Sequence, residues 1–242
     1  MSFAENPYQV SPYGEIAARA ATNERVDFIR KTYIHLLGAV LAFCGLEVLY
    51  FQSGIAEQLF DTLWGNGGKT WLLVLGAFML VGWVADYWAR SATSVALQYA
   101  GLGLYVLAES IVTAPMLYLA SRFGGESVIP TAGIITLLMF GGLTAGVFIT
   151  GHDFSYLKTA LIVGSFAAFG FILCGILFGF QLGMVFSVAL IVLACGYILY
   201  YTSNVLHHYR IGQHVAAALA LFAAVALLFW YVLRLVMELQ RR

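Results

Sequence analysis

The sequence has few charged residues. Only 10% of its 242 residues are charged, whereas a soluble domain carries about 25%. Hydrophobic residues make up 62%, so a soluble fold of this length would lack the polar residues needed to cover its surface. Lys and Arg together number 12, as do Asp and Glu, so there is no basic excess to attract nucleic acid. We therefore predict an integral membrane protein that contacts the lipid bilayer and binds no nucleic acid.

Cysteine is also scarce, and the sequence lacks the common catalytic motifs. Cys44, Cys174 and Cys195 each lie in an apolar run, without the spacing of a metal site or a redox pair. There is no H-E-x-x-H, no G-x-S-x-G and no C-x-x-C motif. We therefore expect no enzymatic activity and no cofactor.

The N-terminal region lacks the features of a secretory signal peptide. No short apolar core with a small-residue cleavage site follows Met1. Residues 1–30 are polar, and we predict a partly disordered cytoplasmic segment there, with a short surface helix over residues 15–30. Residues 31–242 are predicted to form a single transmembrane domain.

Long hydrophobic runs are abundant in that domain. Each is close to the ~20 residues that a helix needs to cross ~30 Å of hydrocarbon. The predicted fold is therefore an all-α bundle of seven transmembrane helices. The predicted spans cover residues 32–52, 70–89, 95–120, 130–151, 157–180, 183–205 and 213–237.

The basic residues give a mixed prediction of orientation. Four of them precede the first span, which places the N-terminus in the cytoplasm: Arg19, Arg25, Arg30 and Lys31. With an odd number of spans the C-terminus then lies outside. Arg241 and Arg242 oppose that placement, so the prediction relies on the N-terminal cluster.

A polar stretch closes the sixth predicted span. Residues 196–209 contain several tyrosines together with Thr202, Ser203 and Asn204. Polar groups without partners are costly in hydrocarbon. We therefore expect this helix end to face other helices or a water-filled cavity.

Ionisable residues inside apolar runs are the best candidates for function. Glu109 lies near the middle of the third span, where a carboxylate must be protonated, paired or hydrated. Glu47 and His35 lie about a turn inside the two ends of the first span, and either side chain can alternatively reach the headgroup region. Asp86 and Arg90 are four residues apart, so they can form an interfacial ion pair or a gate.

Three histidines lie close together in the chain after the sixth span. His207, His208 and His214 flank Arg210 in one predicted cytoplasmic turn. Such a group can sense pH or bind a metal. A solvated, mildly basic loop beside anionic lipid is the alternative interpretation.

Two motifs make the chain resemble a known family. They are Asp-Phe-Ser-Tyr-Leu at residues 153–157 and Ile-Leu-Tyr-Tyr-Thr-Ser-Asn-Val-Leu-His-His at residues 198–208. Together with the seven spans, they resemble the transmembrane Bax inhibitor motif (Bax inhibitor-1-like) family, in its bacterial inner-membrane branch. The resemblance implies a bundle with the last helix at its centre, in the bacterial cytoplasmic membrane. It also implies a pH-sensitive calcium leak, or modulation of cell death and of membrane-bound proteases.

The resemblance also implies a gate that this chain lacks. Leak-channel members share a proton between aspartates on their sixth and seventh helices, with an arginine of the second helix as a latch. The matching positions here are Tyr201 and Ala224, and Arg90 matches the latch. An aspartate pair in its usual place is therefore ruled out, and Glu109 is the leading replacement.

Two functional interpretations follow. In the first, the bundle contains a cation leak pathway for Ca²⁺, which prefers oxygen ligands. The candidate ligands are Glu109, Tyr201, Thr202, Ser203 and Asn204. In the second, the protein does not conduct and instead binds another membrane protein, such as a membrane-anchored protease.

Overall fold

The computed structural model describes residues 14–65 and 68–240 of the chain. The helices are α1 (Thr22–Gln52), α2 (Ile55–Gly65), α3 (Gly68–Ala89), α4 (Val95–Phe123), α5 (Val128–Thr150), α6 (Leu157–Phe178), α7 (Met184–His207) and α8 (His214–Gln240). All except α2 are long and apolar enough to cross a membrane, which gives seven spans. The predicted seven-helix bundle is confirmed.

Seven crossings place the two ends of the bundle on opposite sides of the membrane. We call the side where α1 begins the N-terminal side; it also holds the α3–α4, α5–α6 and α7–α8 turns. The other side, where α8 ends, is the C-terminal side. Helices α5 and α6 end at Gly151 and Gly179, with φ of 62° and 74°. These left-handed conformations suit glycine and stop each helix at its turn.

The connection predicted over residues 53–69 contains an additional short helix. In α2, Ile55, Ala56 and Leu59 pack against Tyr50 of α1 and Ala114 of α4. Its eleven residues are too few to span a bilayer. This helix therefore lies over the C-terminal side and covers the ends of α1 and α4.

Helix α8 forms the centre of the bundle. Ala216, Ala217 and Ala218 are fully buried, as are Leu221 and Leu228 farther along the helix. Small residues allow neighbouring helices to approach closely, which is how helices associate in a lipid environment. The outer helices instead present apolar side chains to lipid. The expected central position of the last helix is confirmed.

A glycine lets α4 approach α3 closely. A Cβ added to Gly101 would lie 2.5 Å from the carbonyl oxygen of Ala85. No side chain fits at that distance, so the close α3–α4 contact depends on glycine at this position.

The chain before α1 contributes to the core. Ile16 forms an isolated antiparallel bridge with Arg210, and the backbone N–H of Ala17 donates to the Tyr209 carbonyl at 2.8 Å. Ala17 is fully buried and belongs to the same core cluster as Phe28 of α1. The predicted separate surface helix over residues 15–30 is wrong, because α1 begins at Thr22 and continues directly into the membrane. The predicted disorder of residues 1–13 lies outside the described residues.

Candidate functional site

A cavity of about 880 Å³ occupies the C-terminal side of the bundle. Helices α3, α4, α6, α7 and α8 line it, and the non-helical α6–α7 turn borders its mouth. Tyr105 of α4 and Tyr201 of α7 lie near its base, and Glu109 lies on its wall. The structure therefore brings two of the predicted site residues, Glu109 and Tyr201, together at one cavity.

Glu109 lies midway along α4 and is 8% exposed. Its carboxyl group interacts with the hydroxyl of Thr113, one helical turn farther along α4. No salt bridge to Glu109 occurs within residues 14–65 and 68–240. A carboxyl group that is not engaged in a salt bridge retains the capacity to bind a proton or a cation from the cavity.

Glu47 of α1 lies close enough to Glu109 to interact with it electrostatically. It is 6% exposed, and neither carboxylate oxygen has a hydrogen-bond partner among the described side chains and backbone. The side chain of Glu47 is therefore enclosed by the protein near the C-terminal end of α1. Two buried like charges are unfavourable unless one of the groups is protonated or a cation is bound nearby. We call Glu47 and Glu109, on α1 and α4, the acidic pair.

Tyr201 belongs to a row of aromatic side chains on α7. Its ring stacks on that of Tyr197, with centroids 5.6 Å apart and planes at 19°. The Tyr197 hydroxyl lies 2.8 Å from Ser165 Oγ of α6. Ala224 of α8 also lines the cavity. The positions matched to the family aspartates therefore face the same space, but carry no carboxylate.

The rest of the polar stretch lies on the N-terminal side, away from the cavity. The carbonyl oxygen of Asn204 accepts hydrogen bonds from the backbone N–H groups of His208 and Tyr209, each at 2.9 Å. Asn204 thus helps to end α7. Its side chain, like those of Thr202 and Ser203, is absent from the cavity wall in the described part of the chain. Of the candidate calcium ligands in that stretch, the structure places only Tyr201 there.

The two sequence motifs meet on the N-terminal side through Asp153. The Ser155 backbone N–H donates to Asp153 Oδ1 at 2.8 Å, and the Ser203 hydroxyl donates to the same oxygen at 3.2 Å. His208 Nε2 lies 3.0 Å from Asp153 Oδ2. The Phe154 N–H also donates to Ser203 Oγ, at 2.8 Å. These bonds fix the α5–α6 turn to the end of α7, and we call them the Asp153 network.

The network has a clear electrostatic effect on Asp153. Desolvation acts to raise the pKa of this carboxyl group. Hydrogen bonds from Ser155 and His208 outweigh that cost, because they favour the charged form, and hold the pKa of Asp153 at about 2. The carboxylate is thus ionised at any physiological pH.

Most of the chain matches a known protein family. The sequence profile described as "Inhibitor of apoptosis-promoting Bax1" matches residues 25–242. The chain belongs to this Bax inhibitor family. The resemblance inferred from the two motifs is confirmed.

Relatives cover most of the chain at low identity. Protein LIFEGUARD 3 of Arabidopsis thaliana is 26% identical over 226 residues, which is 90% of this chain and 86% of that protein. An uncharacterized protein of Pseudomonas aeruginosa is 28% identical over 231 residues, which is 93% of each chain. Protein LIFEGUARD 4 of Arabidopsis thaliana is 26% identical over 213 residues, which is 85% of this chain and 82% of that protein. No solved structure matches the chain significantly.

The arginine matched to the family latch forms the predicted ion pair. Arg90 Nε donates to both Asp86 oxygens, at 2.9 and 2.8 Å. This hydrogen bonding raises the pKa of Arg90. The side chains are 44% and 41% exposed and lie at the N-terminal end of the bundle. Arg90 also interacts with the Tyr209 hydroxyl. The pair thus contacts the end of α7 and is separate from Glu109.

The histidines of this Bax inhibitor family member do not form one cluster. His214 packs against His35, with ring centroids 5.0 Å apart, and His35 Nε2 lies 2.9 Å from the Tyr99 hydroxyl. His207 instead lies 3.1 Å from the Gly151 carbonyl and His208 binds Asp153. Within residues 14–65 and 68–240, no three His, Cys, Asp or Glu side chains are grouped to hold a metal.

Sequence reasoning missed two charged residues of the cavity. Arg234 and Glu238 of α8 both line it near its mouth, on the C-terminal side. Arg234 donates to the carbonyl oxygen of Leu182 in the α6–α7 turn. Both lie in an otherwise apolar terminal helix, and this contrast with their neighbours was the available signal.

Proposed function

We propose that this Bax inhibitor family member provides a cation leak pathway for Ca²⁺ across the bacterial cytoplasmic membrane, with Glu109 as its acidic gate. The supporting observation is a cavity that reaches a buried carboxyl group halfway along α4. Carboxylate and hydroxyl oxygens are suitable ligands for Ca²⁺. The role requires no catalysis and no cofactor.

Protonation provides the gate in this proposal. When one of Glu47 and Glu109 is protonated, the pair carries one negative charge, and its affinity for a divalent cation is low. Loss of that proton leaves two charges, which a cation entering from the cavity can neutralise. The acidic pair therefore replaces the aspartate pair that the sequence lacks, at a different place in the bundle.

Aromatic side chains pack together on the N-terminal side of the cavity. Tyr105 packs edge-on against Phe222, with centroids 6.1 Å apart, and Phe43 also packs edge-on against Phe222, with centroids 6.0 Å apart. Phe222 is 2% exposed. Conduction therefore requires these aromatic side chains to separate.

Calcium flux into proteoliposomes, measured across about pH 5 to 8, tests the proposal. We expect pH-dependent flux in the native protein, and a loss of about tenfold with a flattened pH profile in Glu109→Gln. Glu57→Gln is the matched control, because Glu57 is an exposed glutamate whose neighbour is Arg122. Flux no greater than in empty liposomes at every pH would eliminate the conduction proposal.

The aromatic packing around Phe222 also favours a second candidate function. A bundle packed in this way can act as a non-conducting regulator that binds a membrane-anchored protease or another membrane protein. In that case the purified protein conducts nothing at any pH, and a membrane protease is recovered with it from solubilised membranes. Recovery of no such protein, together with measurable flux, would exclude this candidate.

The proposed orientation places the N-terminus in the cytoplasm. Its support is the cluster of basic residues at residues 19–31, before and within the first turns of α1, together with the seven crossings. Reporter fusions at the two ends provide the test, since a cytoplasm-active reporter should work only at the N-terminus. Activity of that reporter at the C-terminus would reverse the orientation.

A further inference from the structure

The mouth of the cavity carries two opposite charges that do not neutralise each other. Arg234 and Glu238 lie one turn apart on α8, and both line the cavity. Among the described residues, neither side chain forms a salt bridge. Arg234 donates to the Leu182 carbonyl, which leaves its charge uncompensated, and Glu238 Oε2 is buried without a hydrogen-bond partner. A buried carboxylate oxygen without a donor is costly, so this site favours a ligand that supplies one.

The wall next to these charges is aromatic and apolar. Trp71 of α3 and Trp230 of α8 stack with centroids 6.2 Å apart and planes at 20°, and both line the cavity. Phe180 and Leu227 extend the apolar wall. The volume of about 880 Å³ lies within the range of roughly 300–1,000 Å³ that is typical of small-molecule sites. Along α8, the distance from Arg234 to Ala223 is about 16 Å, which accommodates one extended chain.

We propose that this cavity binds a single-chain zwitterionic amphiphile of the lysophosphatidylethanolamine type. The phosphate binds the Arg234 guanidinium, which is suited to phosphate oxygens. The ammonium group donates to the unpartnered oxygen of Glu238. The acyl chain lies along the stacked tryptophans toward the base of the cavity. The proposal does not depend on ion conduction, because it rests on the mouth and the wall and not on the acidic pair.

Tryptophan quenching tests the proposal directly on the detergent-purified full chain. The background variant carries Trp64→Phe, Trp83→Phe and Trp88→Phe, so that the remaining fluorescence comes from the cavity pair. The probe is lysophosphatidylethanolamine with a brominated acyl chain, and we expect saturable quenching. The choline analogue has no N–H donor for Glu238, so it should bind about tenfold more weakly. An uncharged brominated monoacylglycerol should bind more weakly than both.

Substitutions at the mouth separate specific binding from partition into the micelle. Arg234→Gln should weaken binding of both phospholipids about tenfold, whereas Arg234→Lys should retain most of it and show that the bundle is folded. Glu238→Gln should remove the preference for ethanolamine over choline. Arg122→Gln is the matched control, because Arg122 is 60% exposed near the same side of the bundle and outside the cavity wall.

Two results would overturn the proposal. Quenching that does not saturate, or that is equal for all three headgroups, would show partition into detergent only. Equal affinities of native protein and Arg234→Gln would remove the assigned phosphate contact. Neither result would affect the calcium proposal, whose test is flux in the Glu109 variant.

Discussion

The two sides of the bundle are built differently. On the N-terminal side, Phe222 and its aromatic neighbours fill the interior, and the Asp153 network fastens the turns outside it. On the C-terminal side, α3, α4, α6, α7 and α8 surround a cavity that reaches Glu109. A single set of helices thus provides a packed, hydrogen-bonded end and an open end. The difference suggests that stability is concentrated at one end and ligand access at the other.

The largest expected effect comes from opening the packed end. Phe222→Ala removes a side chain that is 2% exposed, and should cost about 3–5 kcal/mol of unfolding free energy through lost contacts and a new void. It should also raise Ca²⁺ flux, because it connects the cavity to the N-terminal side. Unfolding in mixed detergent micelles and flux in proteoliposomes provide the measurements.

The matched control for that variant is Leu227→Ala at the open end. Leu227 is only partly buried and already borders empty space. Leu227→Ala should therefore lower the unfolding free energy much less than Phe222→Ala does. Equal costs for the two variants would contradict the contrast between the packed and the open side.

A smaller effect is expected from the Asp153 network. Asp153→Asn should lower stability at neutral pH by roughly 0.5–1 kcal/mol, a modest value because the side chain is 43% exposed and screened by water. Circular dichroism during detergent unfolding measures the change. Asp61→Asn on α2 serves as the control and should have no effect.

The same network predicts a pH dependence of definite sign. The pKa of Asp153 falls from its ordinary value of 3.8 to about 2 on folding. Its contribution to stability is therefore present above the ordinary value and is lost as the pH falls toward about 2. The difference in unfolding free energy between the native protein and Asp153→Asn should therefore decrease as the pH falls through that range. If the difference in unfolding free energy between the two proteins stayed constant across that pH range, the charge of Asp153 would not be what stabilises the fold.

The smallest effect on stability is expected from filling the open end. Ala223→Leu adds apolar volume on the cavity wall, so the unfolding free energy should change by no more than about 0.5 kcal/mol. Ca²⁺ flux should nevertheless fall, because the added side chain narrows the path. A large loss of stability would show that the space around Ala223 is too small for the proposed pathway.

The sequence correctly predicted the features that depend on a single helix. A span needs a run of about 20 apolar residues, and each of the seven has one. Asp86 and Arg90 are four residues apart, so helix geometry alone brought them together. The polar end of α7 predicted contacts with other parts of the protein, and Ser203 makes them with the α5–α6 turn.

Features that depend on how two helices pack together could not be predicted from the sequence. The proximity of Glu47 to Glu109 depends on how α1 packs on α4, and no periodicity in either helix encodes it. Asp153 was noted only as part of a motif, because Ser203 and His208, which it contacts across the fold, lie 50 and 55 residues away along the chain. Helix α2 was missed for a different reason, since its eleven residues are too short to give a span signal.

The central position of α8 has a consequence for how the protein is made. This helix follows the six other spans in the chain, yet it provides the surface around which they pack, with Ala216–Ala218 and Leu221 wholly enclosed. During synthesis the earlier helices are therefore inserted before their common partner emerges from the ribosome. Until then, the carboxyl groups of Glu47 and Glu109 are shielded by an incomplete bundle. Membrane insertion and final assembly are thus separate events, and the nascent chain depends on its last span to complete the fold.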